Sequence, residues 1–397
     1  MSNNNDKKIL NVPALRFPEF SGEWEKHSLG EIGETIIGLT YKPSDVVENK
    51  GTIVFRSSNI QNGAIDYSDL VRVNKTIKTR MITKVNDILV CARNGSQRLI
   101  GKNAIIKQGD TNNTFGAFMM VYRSEDNQFI FPLLSTKRYI SQVGENLGAR
   151  INQITTSDFN GFEFYFPTNH KERTKISELF RLLDERIAAQ NKIIEKLESL
   201  IRGIRNSLLY SDNGTPIRIG DILKERVEKT TVNNQHEILS STVKGIFSQR
   251  EYFSKDIASE NNAGYKVIRL HDVVLSPQNL WMGNINYNDH FEVGIVSPSY
   301  KIFTIAEKYD KTFIASMLKT QRSLYNYMLV SEQGASIVRR NLNMEAFEQL
   351  VFKIPPYEKQ CEIGRTMSTL RTRLAIANAT RIAYGQQKQW LLRQMFI

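Results

Sequence analysis

Arginine, asparagine, glutamine and serine are concentrated in two groups of loop residues, one in each half of the chain. Arginine can donate two hydrogen bonds to a guanine edge, asparagine and glutamine can pair with adenine, and lysine neutralises phosphate. A single loop of this composition is usually a solvated turn, but its recurrence in both halves favours contact with nucleic acid. The residues that we predict to contact DNA are Arg93, Asn94, Ser96, Gln97, Arg98, Lys102, Arg150, Asn152, Gln153, Ser276, Gln278, Asn279, Trp281, Arg339, Arg340 and Asn341.

The composition supports an anionic partner. The 397 residues carry a formal net charge of +12, with 41% hydrophobic and 24% charged residues, which is ordinary for a globular protein apart from the charge. Cys91 and Cys361 are the two cysteines, which favours a reducing compartment over a disulfide framework. We find neither a secretory signal nor an apolar run as long as a membrane span, and therefore expect a cytoplasmic protein without membrane contact.

Sequence motifs for catalysis are weak by comparison. Ile354-Pro355-Pro356-Tyr357 is similar to the (Asn/Asp)-Pro-Pro-(Tyr/Phe) loop of amino-methyltransferases, but Ile354 cannot accept a hydrogen bond from a target amine. Asp45 and Glu48 lie too close in sequence for a strand-spaced nuclease site, so a solvated loop is the better interpretation. The five histidines lack metal-ligand spacing, and there is no phosphate-binding Gly-x-x-x-x-Gly-Lys loop. We predict no catalytic residues and no metal ligands.

One unit of the sequence occurs twice. Phe164-Tyr165-Phe166-Pro167 and Phe352-Lys353-Ile354-Pro355-Pro356 each precede a long helical run. With one residue of slack after the proline, Ile176 aligns with Ile363, Leu183 with Leu370, Arg186 with Arg373, Ala188 with Ala375 and Asn191 with Asn378. A repeat sets the architecture of a chain, and this one predicts two globular segments, each followed by a long helix.

Both helical runs carry an apolar seam with alternating spacings of four and three residues. The seam of the first run is residues 176, 180, 183, 187, 194, 197, 201, 204 and 208, with Gln190 as its polar member. In the second run it is residues 363, 367, 370, 374, 377, 384, 391 and 395, interrupted by Arg381 and Lys388. This is the a/d pattern of a coiled coil, so we expect the two helices to cover each other as an antiparallel pair.

The two globular segments share anchors in the same order. Leu29-Gly30-Glu31-Ile32 corresponds to residues 219–222, Asp87-Ile88-Leu89 to residues 272–275, and Gly148-Ala149 to Gly334-Ala335. In the first segment, strand patterns cover residues 52–55, 87–91, 103–106, 118–122 and 162–166, with a helical stretch at 129–143. We expect an α+β fold class, with two mixed α/β domains joined by two long helices packed as an antiparallel coiled coil. The predicted boundaries are a flexible N-terminus (1–14), domain 1 (15–167), a first long helix (168–212), domain 2 (213–355) and a second long helix (356–397).

With these features in place, the chain resembles the specificity (S) subunits of type I restriction-modification systems. The resemblance extends from about residue 15 to the end of the sequence. Its further motifs are Arg186-Ile187-Ala188, Arg373-Leu374-Ala375, and Gly294-Ile295-Val296-Ser297-Pro298 followed by Tyr300. Asn169-His170 departs from the family, since many members have a second proline and a leucine there.

The resemblance implies a non-catalytic subunit whose two mixed α/β domains are target-recognition domains that read a bipartite site in double-stranded DNA. It also implies helices that set the spacing and dock two modification (methyltransferase) subunits, with two restriction (endonuclease/translocase) subunits able to join. The chain itself would hold no cofactor, while S-adenosylmethionine, ATP and Mg would bind to the partner subunits. The alternative from the residues is a catalytic DNA methyltransferase or endonuclease with an unrecognised site. Binding of S-adenosylmethionine by the isolated chain distinguishes the two.

Overall fold

The structure is a computed structural model of the chain, and it describes residues 11–149, 152–208, 214–252, 261–333 and 340–397. The chain divides into two compact units. Unit 1 comprises residues 1–189 and 380–397, and unit 2 comprises residues 190–379. Both units therefore contain one part of each long helix, because the boundaries fall inside the helices and not at their ends.

Unit 1 is built from short strands, short helices and parts of two long helices. Its strands are β1 (Glu25–Ser28), β2 (Glu34–Ile37), β3 (Val46–Val47), β4 (Thr52–Phe55), β5 (Ile60–Gln61), β6 (Ala64–Ile65), β7 (Val71–Val73), β8 (Ile88–Cys91), β9 (Asn103–Ile105), β10 (Thr114–Phe115), β11 (Met119–Arg123) and β12 (Glu163–Phe166). Its helices are α1 (Leu29–Ile32), α2 (Asn127–Leu133), α3 (Lys137–Ala149), α4 (Thr156–Asn160) and the first part of α5 (His170–Leu208).

The centre of unit 1 is an antiparallel sheet with strand order β2-β11-β8-β9. Successive side chains of a strand point to opposite faces, and both faces of this sheet are covered. Val90 and Tyr122 pack with the helices, whereas Leu89 and Val121 pack with Phe55 of a second sheet, ordered β10-β4-β7-β3. Cover on both sides explains why β8 is a continuous apolar run, Ile-Leu-Val-Cys, all of it buried.

The long helices complete the core of unit 1. Ile176, Phe180 and Leu183 of α5 join Leu391 and Met395 in one buried cluster. The contacts run in opposite directions along the two helices. They pair Phe180 with Phe396 (ring centroids 5.5 Å apart), Asp184 with Lys388 (2.5 Å), and Arg186 with the Tyr384 ring (6.0 Å). The helices are therefore antiparallel in unit 1, and Lys388, which interrupts the seam in sequence, is matched by an acid.

Unit 2 repeats this plan. Its strands are β13 (Thr215–Arg218), β14 (Leu223–Glu225), β15 (Leu239–Thr242), β16 (Gly245–Ser248), β17 (Lys266–Arg269), β18 (Val273–Leu275), β19 (Ile285–Tyr287), β20 (Val293–Val296), β21 (Lys301–Ile305), β22 (Ser331–Gln333), β23 (Arg340–Leu342) and β24 (Val351–Ile354). Its helices are α6 (Ile219–Ile222), α7 (Gln249–Tyr252), α8 (Lys311–Met317), α9 (Gln321–Leu329), α10 (Met344–Glu348) and parts of α5 and α11 (Tyr357–Met395).

The central sheet of unit 2 has the order β14-β21-β18-β19, which is the order of its counterparts in unit 1. One face packs with seam residues of both helices, including Ile201, Ile363 and Met367. The polar seam residue Gln190 is satisfied here, because its Nε2 donates to the carbonyl oxygen of Ala377 at 3.1 Å. The duplication seen in the sequence is thus a duplication of sheet topology.

The glycine anchors Gly30 and Gly220 each allow a close contact between two short helices, one in each unit. A Cβ atom on Gly30 would lie 3.0 Å from Asn160 Cβ, and one on Gly220 would lie 3.0 Å from Glu348 Cβ. The glycines therefore allow α1 to approach the end of α4, and α6 to approach the end of α10. Each short partner helix begins with a side-chain cap, from Thr155 in α4 and Asn343 in α10.

The Asp anchors also have matching roles. Asp87 and Asp272, just before β8 and β18, are buried, and each accepts a bond from the backbone N–H three residues earlier (2.8 and 2.7 Å). Asp87 also pairs with Arg123 at 2.6 Å, and Asp272 pairs with Arg226. Each aspartate thus fixes the turn that leads into the central strand.

The strands predicted in the first segment are confirmed as β4, β8, β9, β11 and β12, each within one residue. The single helix predicted over residues 129–143 is wrong, since two helices, α2 and α3, occupy this region. Thr136 lies between them and accepts a hydrogen bond from the Tyr139 N–H (3.4 Å), which begins a new helix. The anchor Gly334-Ala335 lies outside the described residues.

Candidate nucleic-acid interface

In unit 1, the loop after the central strand β8 contacts the segment that follows α3. The N–H groups of Ala92 and Arg93 both donate to the Phe118 carbonyl oxygen at 3.0 Å, which fixes the start of the loop on β11. Arg93 pairs with Gln153 in an isolated antiparallel bridge, and the Asn94 N–H donates to the Asn152 carbonyl oxygen at 3.3 Å. The structure therefore brings together residues that are about 60 positions apart and that we predicted as DNA contacts.

Two of the predicted asparagines hold this loop in shape. Asn94 Oδ1 accepts from the Ser96 N–H (2.9 Å), and its Nδ2 donates to Ser57 Oγ (2.9 Å). Asn152 has a positive φ of 57° and donates from Nδ2 to the Gly95 carbonyl oxygen (3.2 Å). Asparagine tolerates this left-handed conformation better than most residues. The bonds fix the loop, which leaves Ser96 exposed at its tip.

The following 3-10 turn, Gln97–Leu99, presents the two long polar side chains of the loop. Gln97 and Arg98 are exposed, whereas Ile100 beyond them is buried and anchors the turn in the core. Lys102 is half-buried next to β8. Burial raises the pKa of the Cys91 thiol to about 11 despite the nearby charge of Lys102, so Cys91 is an unreactive thiol at neutral pH.

A cation lies over an exposed aromatic ring at this loop. The Arg93 guanidinium carbon is 5.3 Å from the centroid of the Phe118 ring, and Phe118 is 59% exposed. A groove of about 690 Å³ adjoins the ring, and its walls include Tyr41, Arg56 and Ser57. Arginine planes and aromatic rings are the surfaces on which nucleobases stack, and arginine also reads base edges.

Unit 2 has the corresponding contact after β18. Here the backbone groups of the predicted residues Ser276 and Asn279 form hydrogen bonds that hold the loop. Ser276 is only 8% exposed, and its N–H donates to the Asn284 carbonyl oxygen at 2.9 Å. The Asn279 carbonyl oxygen accepts from Met282 and Asn284 N–H groups (3.1 and 3.2 Å), which closes the 3-10 turn Leu280–Met282. This turn places Trp281 at the edge of the unit, half-buried.

A second arginine–aromatic pair forms at this turn. The Arg340 guanidinium carbon lies 4.7 Å from the centroid of the Trp281 ring, and the Arg340 N–H donates to the Gln278 carbonyl oxygen at 3.2 Å. Arg340 Nε is buried without a hydrogen-bond partner among the described residues. Gln278 and Asn341 are exposed beside the pair. The loop after the central strand therefore meets the segment after the helices in both units.

Two predicted contacts, Arg150 and Arg339, lie outside the described residues. Sequence reasoning missed Phe118, Arg56 and Ser57, which line the interface of unit 1. The sequence does carry a signal for Phe118, because this large aromatic residue directly follows the small residues Gly116 and Ala117 at the start of a strand. An aromatic residue in such a position need not belong to the core. Arg56 and Ser57 gave no such signal, since their position depends on packing.

The described part of the chain contains no group of three or more histidine, cysteine, aspartate or glutamate side chains that could hold a metal ion. It also contains no helix that is long and apolar enough to cross a membrane.

Part of the chain is similar in sequence to known proteins. Residues 21–199 match the family described as type I restriction modification DNA specificity domain. The specificity subunit of type I restriction enzyme StySPI from Salmonella potsdam is 25% identical over 196 residues, which are 47% of this chain and 42% of that protein. The EcoKI specificity subunit of Escherichia coli (strain K12) is 25% identical over 194 residues, 47% of this chain and 41% of that protein. The alignments thus span less than half of these relatives.

The fold has a counterpart among solved structures. A type I restriction-modification system S subunit from M. genitalium has a TM-score of 0.64 and 15% sequence identity, with 97% of this chain and 99% of that chain covered. At this identity the likeness concerns the fold, two domains joined by helices.

Proposed function

We propose, on the premise that residues 21–199 belong to the family of type I restriction modification DNA specificity domains, that this chain is a DNA specificity subunit. It recognises a bipartite site in double-stranded DNA for a type I restriction-modification complex. One observation carries the proposal. Two units with the same sheet order each hold an arginine against an aromatic ring, where the loop after the central strand meets the segment after the helices.

The two recognition domains are residues 15–167 and 213–355, and each reads one half of the site. The +12 charge attracts the duplex, lysines and arginines neutralise phosphates, and the loop side chains discriminate bases. Among the described residues, Arg93, Arg98 and Arg340 are the arginines that we expect to contact base edges or phosphates, and we expect the same of Arg150 and Arg339. Because each domain recognises a different half-site, the same loop architecture carries different residues in the two units.

The spacer helices, residues 168–212 and 356–397, set the distance between the half-sites as an antiparallel coiled coil. They also dock two modification (methyltransferase) subunits, and two restriction subunits can join the assembly. The chain catalyses nothing itself and holds no cofactor. S-adenosylmethionine, ATP and Mg bind to the partners, and the complex acts in the cytoplasm.

The test is a binding and methylation experiment with arginine variants. Arg340→Ala should weaken binding of the cognate duplex by about 1–3 kcal/mol and relax one position of one half-site if Arg340 contacts a base. Lys308→Ala is the matched control, since Lys308 also lies over an aromatic ring in unit 2 (5.2 Å from Tyr309). The first residue of β21, Lys301, pairs with Leu275 next to the loop, whereas Lys308 follows the last residue of β21, at the opposite end of the strand.

Methylation mapping of a complex assembled with modification subunits would show which base is relaxed. If Arg340→Ala and Arg93→Ala both left affinity and the methylated sequence unchanged, the assigned interface would be wrong. Binding of S-adenosylmethionine by the chain alone would favour a methyltransferase over a specificity subunit.

A further inference from the structure

A second feature of unit 2 lies beside the candidate interface. It is a cavity of about 540 Å³ between the β15–β16 hairpin, the strand β19 and the two long helices. Met282 and Gly283 form part of its wall, directly after Trp281 in sequence. Four long cationic side chains line it. Lys244, between β15 and β16, is exposed, and the other three come from three different elements, namely Arg205 on α5, Lys319 after α8 and Arg371 on α11.

Arg205, Lys319 and Arg371 have few hydrogen-bond partners among the described residues. Lys319 Nζ donates to Asn286 Oδ1 (2.5 Å) and the Val243 carbonyl oxygen (3.1 Å), and Arg371 Nη2 donates to Ser316 Oγ (3.0 Å). Arg205 Nε is buried with no hydrogen-bond partner in the described ranges. Within these same ranges, no carboxylate forms a salt bridge with any of the three.

Electrostatics make this arrangement costly without a ligand. Burial, together with repulsion from Arg205 and Arg371, lowers the pKa of Lys319 from 10.5 to about 8. Burial also lowers the pKa of both arginines. Asp289 is the acid that lines the cavity, and its Oδ1 lies 2.8 Å from Nδ1 of His290, which lines it as well. The cavity therefore carries an excess of positive charge in a poorly solvated place.

Phosphate is the anion that matches this excess best. A carboxylate has one charge and two oxygens, and a single arginine fork satisfies it. A phosphate has more oxygens, spreads its charge in three dimensions and suits several donors that arrive from different sides. Two guanidinium groups and one ammonium group, presented by three elements, have this arrangement.

We propose that the cavity lined by Arg205, Lys319 and Arg371 binds a phosphate group. The phosphate belongs either to the backbone of the bound duplex or to a small phosphate compound. In the first case the inference rests on the proposed function, and the cavity fixes the position of the DNA strand next to the Trp281 turn. In the second case unit 2 has a ligand site of its own.

The first arm of the test uses the full chain with inorganic phosphate and pyrophosphate, measured by calorimetry and thermal unfolding. Lys319→Met and Arg371→Gln should each weaken pyrophosphate binding at least tenfold. Lys308→Met is the control, because it removes an exposed lysine from the same unit, and it should bind as the parent does. Lys319→Met relieves repulsion, so we expect it to fold, and its melting curve without ligand verifies this.

The second arm uses duplex DNA. If the phosphate is that of DNA, Lys319→Met should weaken all sequences about equally and reduce the salt dependence of binding by about one ion. If it is that of a small compound, DNA binding stays unchanged while pyrophosphate binding is lost. Arg340→Ala should retain pyrophosphate binding even if the proposed function fails, which separates the two hypotheses. If the Lys319 and Arg371 variants match the parent in both arms, there is no phosphate site.

Discussion

Phe396 offers a direct test of how unit 1 is built. Its ring is 8% exposed and contacts three aromatic rings of unit 1, with centroid distances of 6.4 Å to Trp24, 5.6 Å to Phe129 and 5.5 Å to Phe180. Truncation of a buried phenylalanine to alanine costs about 3–5 kcal/mol. Phe396 lies beyond the end of α11, where neighbouring groups can close part of the cavity, so we expect about 3 kcal/mol for Phe396→Ala.

Hydrogen exchange can measure this loss in each unit separately. A loss of about 3 kcal/mol corresponds to roughly a hundredfold faster exchange of amides that open by global unfolding. We expect this in β11 (Met119–Arg123), an inner strand of the central sheet of unit 1, because unit 1 contains Phe396. The counterpart in unit 2, β21 (Lys301–Ile305), should exchange as before.

The control for this experiment is Ile397→Ala. Ile397 is the next residue but is 36% exposed, so its truncation should change exchange in β11 by less than about threefold. Two results would refute the reasoning. Protection of β11 that falls less than fivefold in Phe396→Ala would show that the aromatic cluster does not stabilise unit 1. An equal loss in β11 and β21 would show that the two units do not have separate cores.

Three further predictions concern the helices, the turns and the cationic cavity. Four residues inserted near Gln190, about 6 Å of helix, should lengthen the gap between the two recognised half-sites by one or two base pairs and leave both half-site sequences unchanged. A methylation map that shows the original gap would contradict the spacer role of the helices. Asp87→Asn should cost about 3 kcal/mol in urea unfolding, because it removes the buried carboxylate that pairs with Arg123 at 2.6 Å and leaves Arg123 only the exposed Glu34 at 3.9 Å as an acidic partner among the described residues. Replacement of the 60%-exposed Asp69 should cost less than about 1 kcal/mol. Lys319→Met should stabilise unit 2 most below pH 8, because the Lys319 amine binds its proton more tightly in the unfolded chain than in the folded one. The parent protein therefore regains stability as the pH rises from about 8 towards 10.5. A stability advantage of the variant that does not shrink over this range would contradict the burial of Lys319.

The elements that the sequence predicts well are those whose pattern is local. The heptad seams indicate both long helices because the spacing repeats along the chain, and the seam residues of α5 and α11 are indeed buried or half-buried where described. The anchors of the two globular segments were recognisable because each turn before a central strand needs the same aspartate. The break between α2 and α3 was missed, since it depends on one cap, that of Thr136.

The seam does not reveal which part of a helix belongs to which core. Positions 183 and 197 are both leucines and have the same place in the heptad, yet Leu183 packs in unit 1 and Leu197 in unit 2. The candidate site shows a similar limit. Asn94 and Arg93 are neighbours with equally suitable side chains, but the Asn94 amide is hydrogen-bonded to Ser96 and to the distant Ser57, whereas Arg93 is exposed over Phe118. Such differences arise from contacts between residues far apart in sequence.

The assembly of unit 1 from two separate stretches of the chain has a consequence for biosynthesis. Unit 2 is one continuous stretch of chain, but unit 1 is made of two stretches separated by all of unit 2. On the ribosome, Trp24, Phe129 and Phe180 are therefore synthesised long before Phe396, which completes their cluster. Unit 2 can finish folding while the nascent unit 1 still exposes an aromatic surface, and such intermediates are prone to aggregate. Slow translation or a ribosome-associated chaperone would therefore affect the yield of unit 1 more than that of unit 2.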